Sequence, residues 1–116
     1  MKVVLDEGVP EDLADYLPGH ETRSVARLGW KGTTNGRLLK LLQSIDTEVF
    51  VTADKNLQRR QVLGSQPFGV LVLSTNNWPA MQEHVSAVSA ALMECKPGVV
   101  AAVECGRFIP KRFRNL

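Results

Sequence analysis

Val3-Val4-Leu5-Asp6-Glu7 is the stretch on which the reading of this chain turns. Three apolar residues, two of them β-branched, run straight into two adjacent carboxylates, and Gly8-Val9-Pro10 then turns the chain towards an expected helix. A short, continuous apolar run suits a strand buried on both faces, as in parallel sheets. Acids at the end of such a strand sit at the carboxyl edge of the sheet, where open α/β folds hold their ligands. Val49-Phe50-Val51-Thr52-Ala53-Asp54 repeats the pattern. If the two strands are neighbours, Asp6, Glu7 and Asp54 converge on one small volume.

The bulk properties set limits. At 116 residues the chain is one domain on size grounds, and it should bury roughly 65% of its unfolded surface without help from disulfides or a structural metal. A hydrophobic content of 44% with 22% charged residues is ordinary for a soluble globular protein. No apolar run approaches the roughly 20 residues that span a bilayer, and the first residues lack the pattern of a signal peptide. A cytoplasmic protein with no membrane association is expected. Cys95 and Cys105 lack metal-ligand spacing and read as small, reduced core residues.

The net charge of +2 is unevenly placed. Arg107, Lys111, Arg112 and Arg114 give residues 107–116 a basic character with no acid, which leaves the body of the chain slightly acidic. The division is therefore a domain over 1–106 and a basic tail over 107–116. Such a tail suits an anionic partner such as nucleic acid, or is simply solvated.

Taken in order, the remaining elements alternate. Glu11 and Asp12 suit the positive end of a helix that Pro18-Gly19 stops. A brief strand is expected within 20–25, then a loop over Leu28–Thr34 that displays Trp30, with Thr33 or Thr34 capping the next helix. Leu38, Leu39, Leu41, Leu42 and Ile45 form the sheet-packing stripe of that helix. A strand over Glu48–Thr52 precedes a short helix expected over Lys55–Leu63, closed by Gly64. The run Phe68–Leu73 is the most strand-like in the chain and ends in Ser74-Thr75-Asn76-Asn77. One long helix is expected next, with Trp78, Met81, Val85, Val88, Leu92 and Cys95 facing the core. Lys96-Pro97-Gly98 breaks it, and Val99–Val103 is the last strand. Strand and helix in alternation predict an α/β domain with a mainly parallel sheet and helices on both faces.

Carboxylates at two strand ends point to a hard cation. Mg²⁺ typically uses one or two carboxylates and keeps several waters; such an ion can activate water beside a phosphodiester. Asp6 and Glu7 can both contribute only if the strand has ended, because adjacent strand residues face opposite ways. Asp54 reads equally as a helix cap. Around Asp54 lie Lys55, Asn56, Arg59, Arg60 and Gln61; on a helix 55 and 59, and 56 and 60, are one turn apart, a surface that suits phosphates or is an ordinary polar face. Asn35 can ligate a metal or substrate, or only cap its helix, and Trp30 can stack on a base or fold back on the core.

Residues 1–104 resemble a prokaryotic group of small PIN-like domain proteins, relatives of the toxin ribonucleases of VapBC-type toxin–antitoxin pairs. The resemblance rests on Leu5-Asp6-Glu7 with Pro10, Leu17-Pro18-Gly19-His20-Glu21, Leu28-Gly29-Trp30 with Gly32, and Asn35-Gly36 with Leu38-Leu39. It continues through Thr52-Ala53-Asp54-Lys55-Asn56-Leu57 and Val72-Leu73-Ser74-Thr75-Asn76. It implies a three-layer α/β/α fold and a metal-dependent endoribonuclease that hydrolyses single-stranded RNA. Mg²⁺ or Mn²⁺ would be held by Asp6 and Asp54, with Glu7 as an accessory catalytic acid. Asn35, Lys55, Asn56, Arg59, Arg60, Gln61, Thr75 and Asn76 would face the substrate. The implied partners are RNA and a small helix-turn-helix antitoxin, with a homodimer also compatible. Asn35 and Asn56 fall where typical PIN-like nucleases carry further aspartates, Gly8 stands where the group has a cysteine, and Arg59-Arg60-Gln61-Val62 departs from its Tyr-Gln-Gln-Asn run.

Two other readings compete. A degenerate PIN-like module would bind RNA or an antitoxin without cutting, as the two asparagines allow. A phospho-acceptor receiver would also place acids like Asp6, Glu7 and Asp54, and a threonine like Thr75, at strand ends. It further requires a lysine directly after the last strand, where this chain has Glu104-Cys105-Gly106.

Overall fold

A computed structural model describes residues 1–54 and 61–106. Five strands, β1 (Lys2–Leu5), β2 (Glu21–Ser24), β3 (Val49–Thr52), β4 (Gly69–Leu73) and β5 (Val100–Val103), form one sheet in the order β2-β1-β3-β4-β5. Every pairing is parallel. The apolar runs that marked the central strands are buried on both faces, as a parallel sheet requires: β3 and β4 are buried along their whole length. The sequence order reverses between β1 and β3, which makes that crevice the switch point of the sheet.

The period of two in each strand sorts the core into two halves. Val3, Leu5, Val49, Val51, Leu71 and Leu73 face one side. Val4, Phe50, Val70 and Val72 face the other. The first side is covered by a 3-10 helix over Glu11–Tyr16 and by α2 (Trp78–Gln82) and α3 (Val85–Glu94), which contribute Leu13, Met81, Val88 and Leu92. The second is covered by α1 (Asn35–Ser44), through Leu38, Leu39 and Leu42, and by a 3-10 turn over Gln61–Ser65, through Leu63. The result is three layers, α/β/α. Each fully buried Leu, Val or Phe contributes roughly 1.5–3 kcal/mol.

Several elements differ from expectation. The segment after Pro10 is a 3-10 helix, closed by i to i+3 bonds such as Leu13 N–H to Pro10 C=O; between Pro10 and Pro18 there is little room for a longer helix. Gly64 lies inside the Gln61–Ser65 turn and does not close a helix. The rest of the expected helix over Lys55–Leu63 falls largely outside the described residues. The single long helix is two. His84 Nδ1–H donates to the carbonyl of Ala80 at 3.1 Å, while the His84 N–H turns to Met81 C=O at 2.8 Å. The side chain thus takes the carbonyl that the next helical turn needs, and α2 ends there. The apolar stripe survives the break, since Met81, Val88, Leu92 and Cys95 are all buried. Both cysteines are buried free thiols.

The last crossover is unusual. The described part of the connection from β3 to β4, residues 61–68, lies on the α1 face, where Leu63 and Phe68 pack, and β4 lies one step outward. The connection from β4 to β5 steps outward in the same direction but crosses the opposite face, under α2 and α3. The two are therefore of opposite hand. The β1–β2, β2–β3 and β3–β4 connections share one hand, and about 98% of such crossovers are right-handed. The β4–β5 crossover is the left-handed exception.

Candidate functional site at the sheet's carboxyl edge

β1 pairs Leu5 with Val51 of β3, so the next register position sets Asp6 beside Thr52. Asp6 keeps the ladder for one more bond, its N–H donating to Val51 C=O at 2.8 Å. Alternation then decides the faces. Asp6 follows Val4, and Thr52 and Asp54 follow Phe50, so all three fall on the α1 side of the sheet.

The strand ends at Leu5, and Val9 N–H returns to Asp6 C=O at 3.0 Å, so the chain turns immediately. That turn meets the condition for Glu7 to join Asp6. Asp6, Glu7, Asn35 and Asp54 line one cavity of about 260 Å³, with Trp30, Thr33 and Leu38 completing its wall. Glu7 reaches across it, and its Oε1 accepts the Gly32 N–H.

Asp6 is the electrostatic centre. Its Oδ2 accepts from the Thr52 hydroxyl at 2.7 Å and its Oδ1 from the Glu7 N–H at 2.8 Å. Both bonds favour the carboxylate. Burial nevertheless outweighs them and raises its pKa above the ordinary carboxylate value, and the negative charges of Asp54 and Glu7 push the same way. Thr52 is fully buried and also accepts the Asp54 N–H at 3.0 Å, so one hydroxyl ties the two strand ends together.

α1 begins at this cavity. Thr34 occupies its N-cap position without a side-chain cap, and its first turn holds no acid. The Thr33 hydroxyl, the other expected cap, donates to Trp30 C=O. The positive end of the α1 dipole therefore opens beside the carboxylates.

Thr75 and Asn76 do not line this cavity. Thr75 is fully buried on the α2 side, near Ala80 and Gly106, with its Oγ1 accepting the Asn77 N–H. Lys55, Asn56, Arg59 and Arg60, the side chain of Gln61, and the tail from Arg107 onward lie outside the described residues. The sequence reading missed Thr52, Thr33 and the Gly32 N–H. Of these only Thr52 left a signal, as a polar residue two places before Asp54 in an otherwise apolar strand.

The donor set fits Mg²⁺ or Mn²⁺ in a limited way. Two carboxylates and an amide, with room for water, are what Mg²⁺ commonly uses, and each bonded Asp6 oxygen keeps a lone pair. Among the described residues no group of three or more His, Cys, Asp or Glu is arranged to hold a metal. A larger recess of about 440 Å³ lies beside β2, lined by Glu11, Asp15, Ser24 and Arg27 among others. There Glu11 accepts from the Ser24 hydroxyl and Arg27 Nε, which lower its pKa and largely satisfy its charge. Glu11 is held below its ordinary value, whereas Asp6 in the smaller cavity is held above its own by burial, so the smaller cavity is the candidate site.

Fold and site together define a class: a parallel α/β domain with an acidic cavity at the switch point of its sheet. Compared with known proteins, the chain matches no family model, no curated protein and no solved structure. Among the described residues no helix is long and apolar enough to cross a membrane.

Proposed function

We propose that this protein is a divalent-metal-dependent endoribonuclease acting on single-stranded RNA in the cytoplasm. The observation that carries the reading is the Asp6 carboxylate, half-buried beside Asp54 and Glu7 with its pKa raised by that setting. A cation in the cavity would relieve both the burial and the repulsion. In this reading Asp6 and Asp54 hold Mg²⁺ or Mn²⁺, and the Asn35 side chain offers a neutral oxygen. The bound ion would supply an activated water and neutralise charge on the phosphodiester. The open end of α1 adds a favourable field for the phosphate. Lys55, Asn56, Arg59, Arg60 and Gln61 follow Asp54 in the chain and are assigned to the RNA backbone. The resemblance of residues 1–104 to toxin-type PIN-like proteins supports a small helix-turn-helix antitoxin as partner.

The test is hydrolysis of an end-labelled single-stranded RNA by purified protein. Cleavage that requires Mg²⁺ or Mn²⁺ and disappears in Asp6→Asn and Asp54→Asn is the expected result. Cleavage of no RNA with either metal would sink the assignment.

One observation favours a second reading. Asn35 stands in the cavity wall where a third carboxylate would strengthen a metal site. A module that binds RNA or an antitoxin without cutting it would bind RNA with no divalent ion, which calorimetry reads directly. The receiver alternative gains the strand order, which flavodoxin-like and receiver folds share. It loses on the left-handed β4–β5 crossover and on Glu104-Cys105 after β5.

A further inference from the structure

The cavity has one aromatic wall, and the structure shows what holds it there. Trp30 is half-buried, packed against the α1-side core and lining the cavity with Asp6, Asn35 and Asp54. Its backbone N–H donates to Val25 C=O at 3.0 Å, and its backbone carbonyl accepts from the N–H and hydroxyl of Thr33. Gly29 and Gly32 flank it at φ +78° and +80°, a conformation that L side chains rarely adopt. The last tie is Glu7, whose carboxylate accepts the Gly32 N–H from across the cavity.

We propose that Trp30 is a base-stacking wall and that Glu7 is the positioning residue that holds it, so that the site takes RNA as a single strand with one base unstacked. The inference rests on the ribonuclease reading above and names the form of its substrate. At about 260 Å³ the cavity is smaller than the roughly 300–1,000 Å³ of drug-sized sites but has room for a single base. An indole face accepts any base, because every base has a π-face. A neutral base also tolerates the carboxylates beneath it, and Lys31, exposed next to Trp30, adds a positive charge for the backbone. Glu7 is given to the loop by its bond to Gly32.

The experiment uses the full chain carrying Trp78→Phe, which leaves Trp30 as the sole tryptophan of two. A single-stranded RNA hexamer is titrated with Mg²⁺ while fluorescence and cleavage are followed. The hexamer should quench Trp30, and a duplex of the same sequence should not. Trp30→Leu keeps an apolar packing group but no π-face; it should melt close to the parent, bind the hexamer roughly ten- to a hundredfold more weakly, and regain most of the loss as Trp30→Phe. Glu7→Gln still offers an oxygen to Gly32 and should keep the parent's Trp30 quench and hexamer affinity, whatever its cleavage rate, while Glu7→Ala should lose both as Trp30→Leu does. A folded Trp30→Leu that binds as tightly as a parent that binds and cleaves RNA overturns this inference alone. Glu7→Gln losing as much as Glu7→Ala overturns the positioning role. A parent that binds no RNA removes the functional reading and this inference with it.

Discussion

The Thr52 hydroxyl donates to Asp6 Oδ2 at 2.7 Å while accepting the Asp54 N–H at 3.0 Å, and Thr52 itself is fully buried. One side chain thereby fixes the relative position of both proposed metal ligands. Thr52→Val keeps the shape and removes both bonds. It leaves a carboxylate oxygen and an N–H short of a partner, a loss of about 1–3 kcal/mol. Denaturant unfolding should show the midpoint falling with an unchanged slope, and Thr52→Ser should recover most of the loss. Divalent-ion affinity should fall with Thr52→Val even where the protein stays folded.

The raised pKa of Asp6 makes a pH-dependent prediction. A carboxyl whose folded pKa lies above its unfolded value destabilises the fold at pH above that folded value. The penalty fades as pH falls towards the ordinary carboxylate range. Asp6→Asn removes the charge, keeps an oxygen for the Glu7 N–H, and can donate its amide to Thr52. It should therefore be more stable than the parent at pH 7, by about 0.5–2 kcal/mol, with solvent screening of a half-buried group favouring the low end. Thermal melts at pH 7 and pH 4.5 check this: the gap should narrow at the lower pH. Equal melting temperatures across that range would remove the electrostatic argument for a cation site.

Most of the architecture was legible in the sequence, for reasons that can be named. The strands declared themselves because a parallel sheet buries both faces, so Val49–Val51 and Val70–Leu73 read as unbroken apolar runs. Asp6 and Asp54 were legible because strand ends in such a sheet converge at one edge. What escaped depends on contacts that sequence spacing does not encode. The α2–α3 break turns on one imidazole bonding to Ala80, and nothing in Trp78–Cys95 interrupts the helical period. The bond from Glu7 to Gly32 spans 25 positions and involves a backbone group common to any residue there. The left-handed crossover leaves no local mark, because the β4–β5 helices carry the same kind of apolar stripe whichever face they cover.

A divalent ion should stabilise the protein if Asp6 and Asp54 bind it together. Ligand linkage gives about 2.7 kcal/mol at a concentration one hundred times Kd. Melting temperature measured against Mg²⁺ or Mn²⁺ should rise for the parent and for Glu7→Gln. It should stay flat for Asp6→Asn and Asp54→Asn. A parent whose melting temperature ignores both ions would favour the non-cleaving module.

Gly69 offers a control that separates stability from the site. It opens β4, at the end of the sheet away from the carboxylates, and is buried against the C-terminal end of α3. A Cβ there would lie 2.9 Å from Lys96 O, 3.0 Å from Lys96 N and 3.0 Å from Cys95 Cβ. Two of those atoms are backbone, held where the chain leaves α3, so they cannot swing aside as a flexible side chain would. The neighbouring ladder adds to the constraint, since the Gly69 N–H donates to Glu48 C=O at 2.9 Å. Gly69→Ala should therefore cost about 1–3 kcal/mol, as overpacked sites do. Divalent-ion affinity and RNA cleavage, measured well below its melting temperature, should stay at parental values. Loss of both in a folded Gly69→Ala would mean that strain at the far end of β4 reaches the site, and activity losses in Thr52→Val would then no longer point specifically to the Asp6–Thr52–Asp54 link.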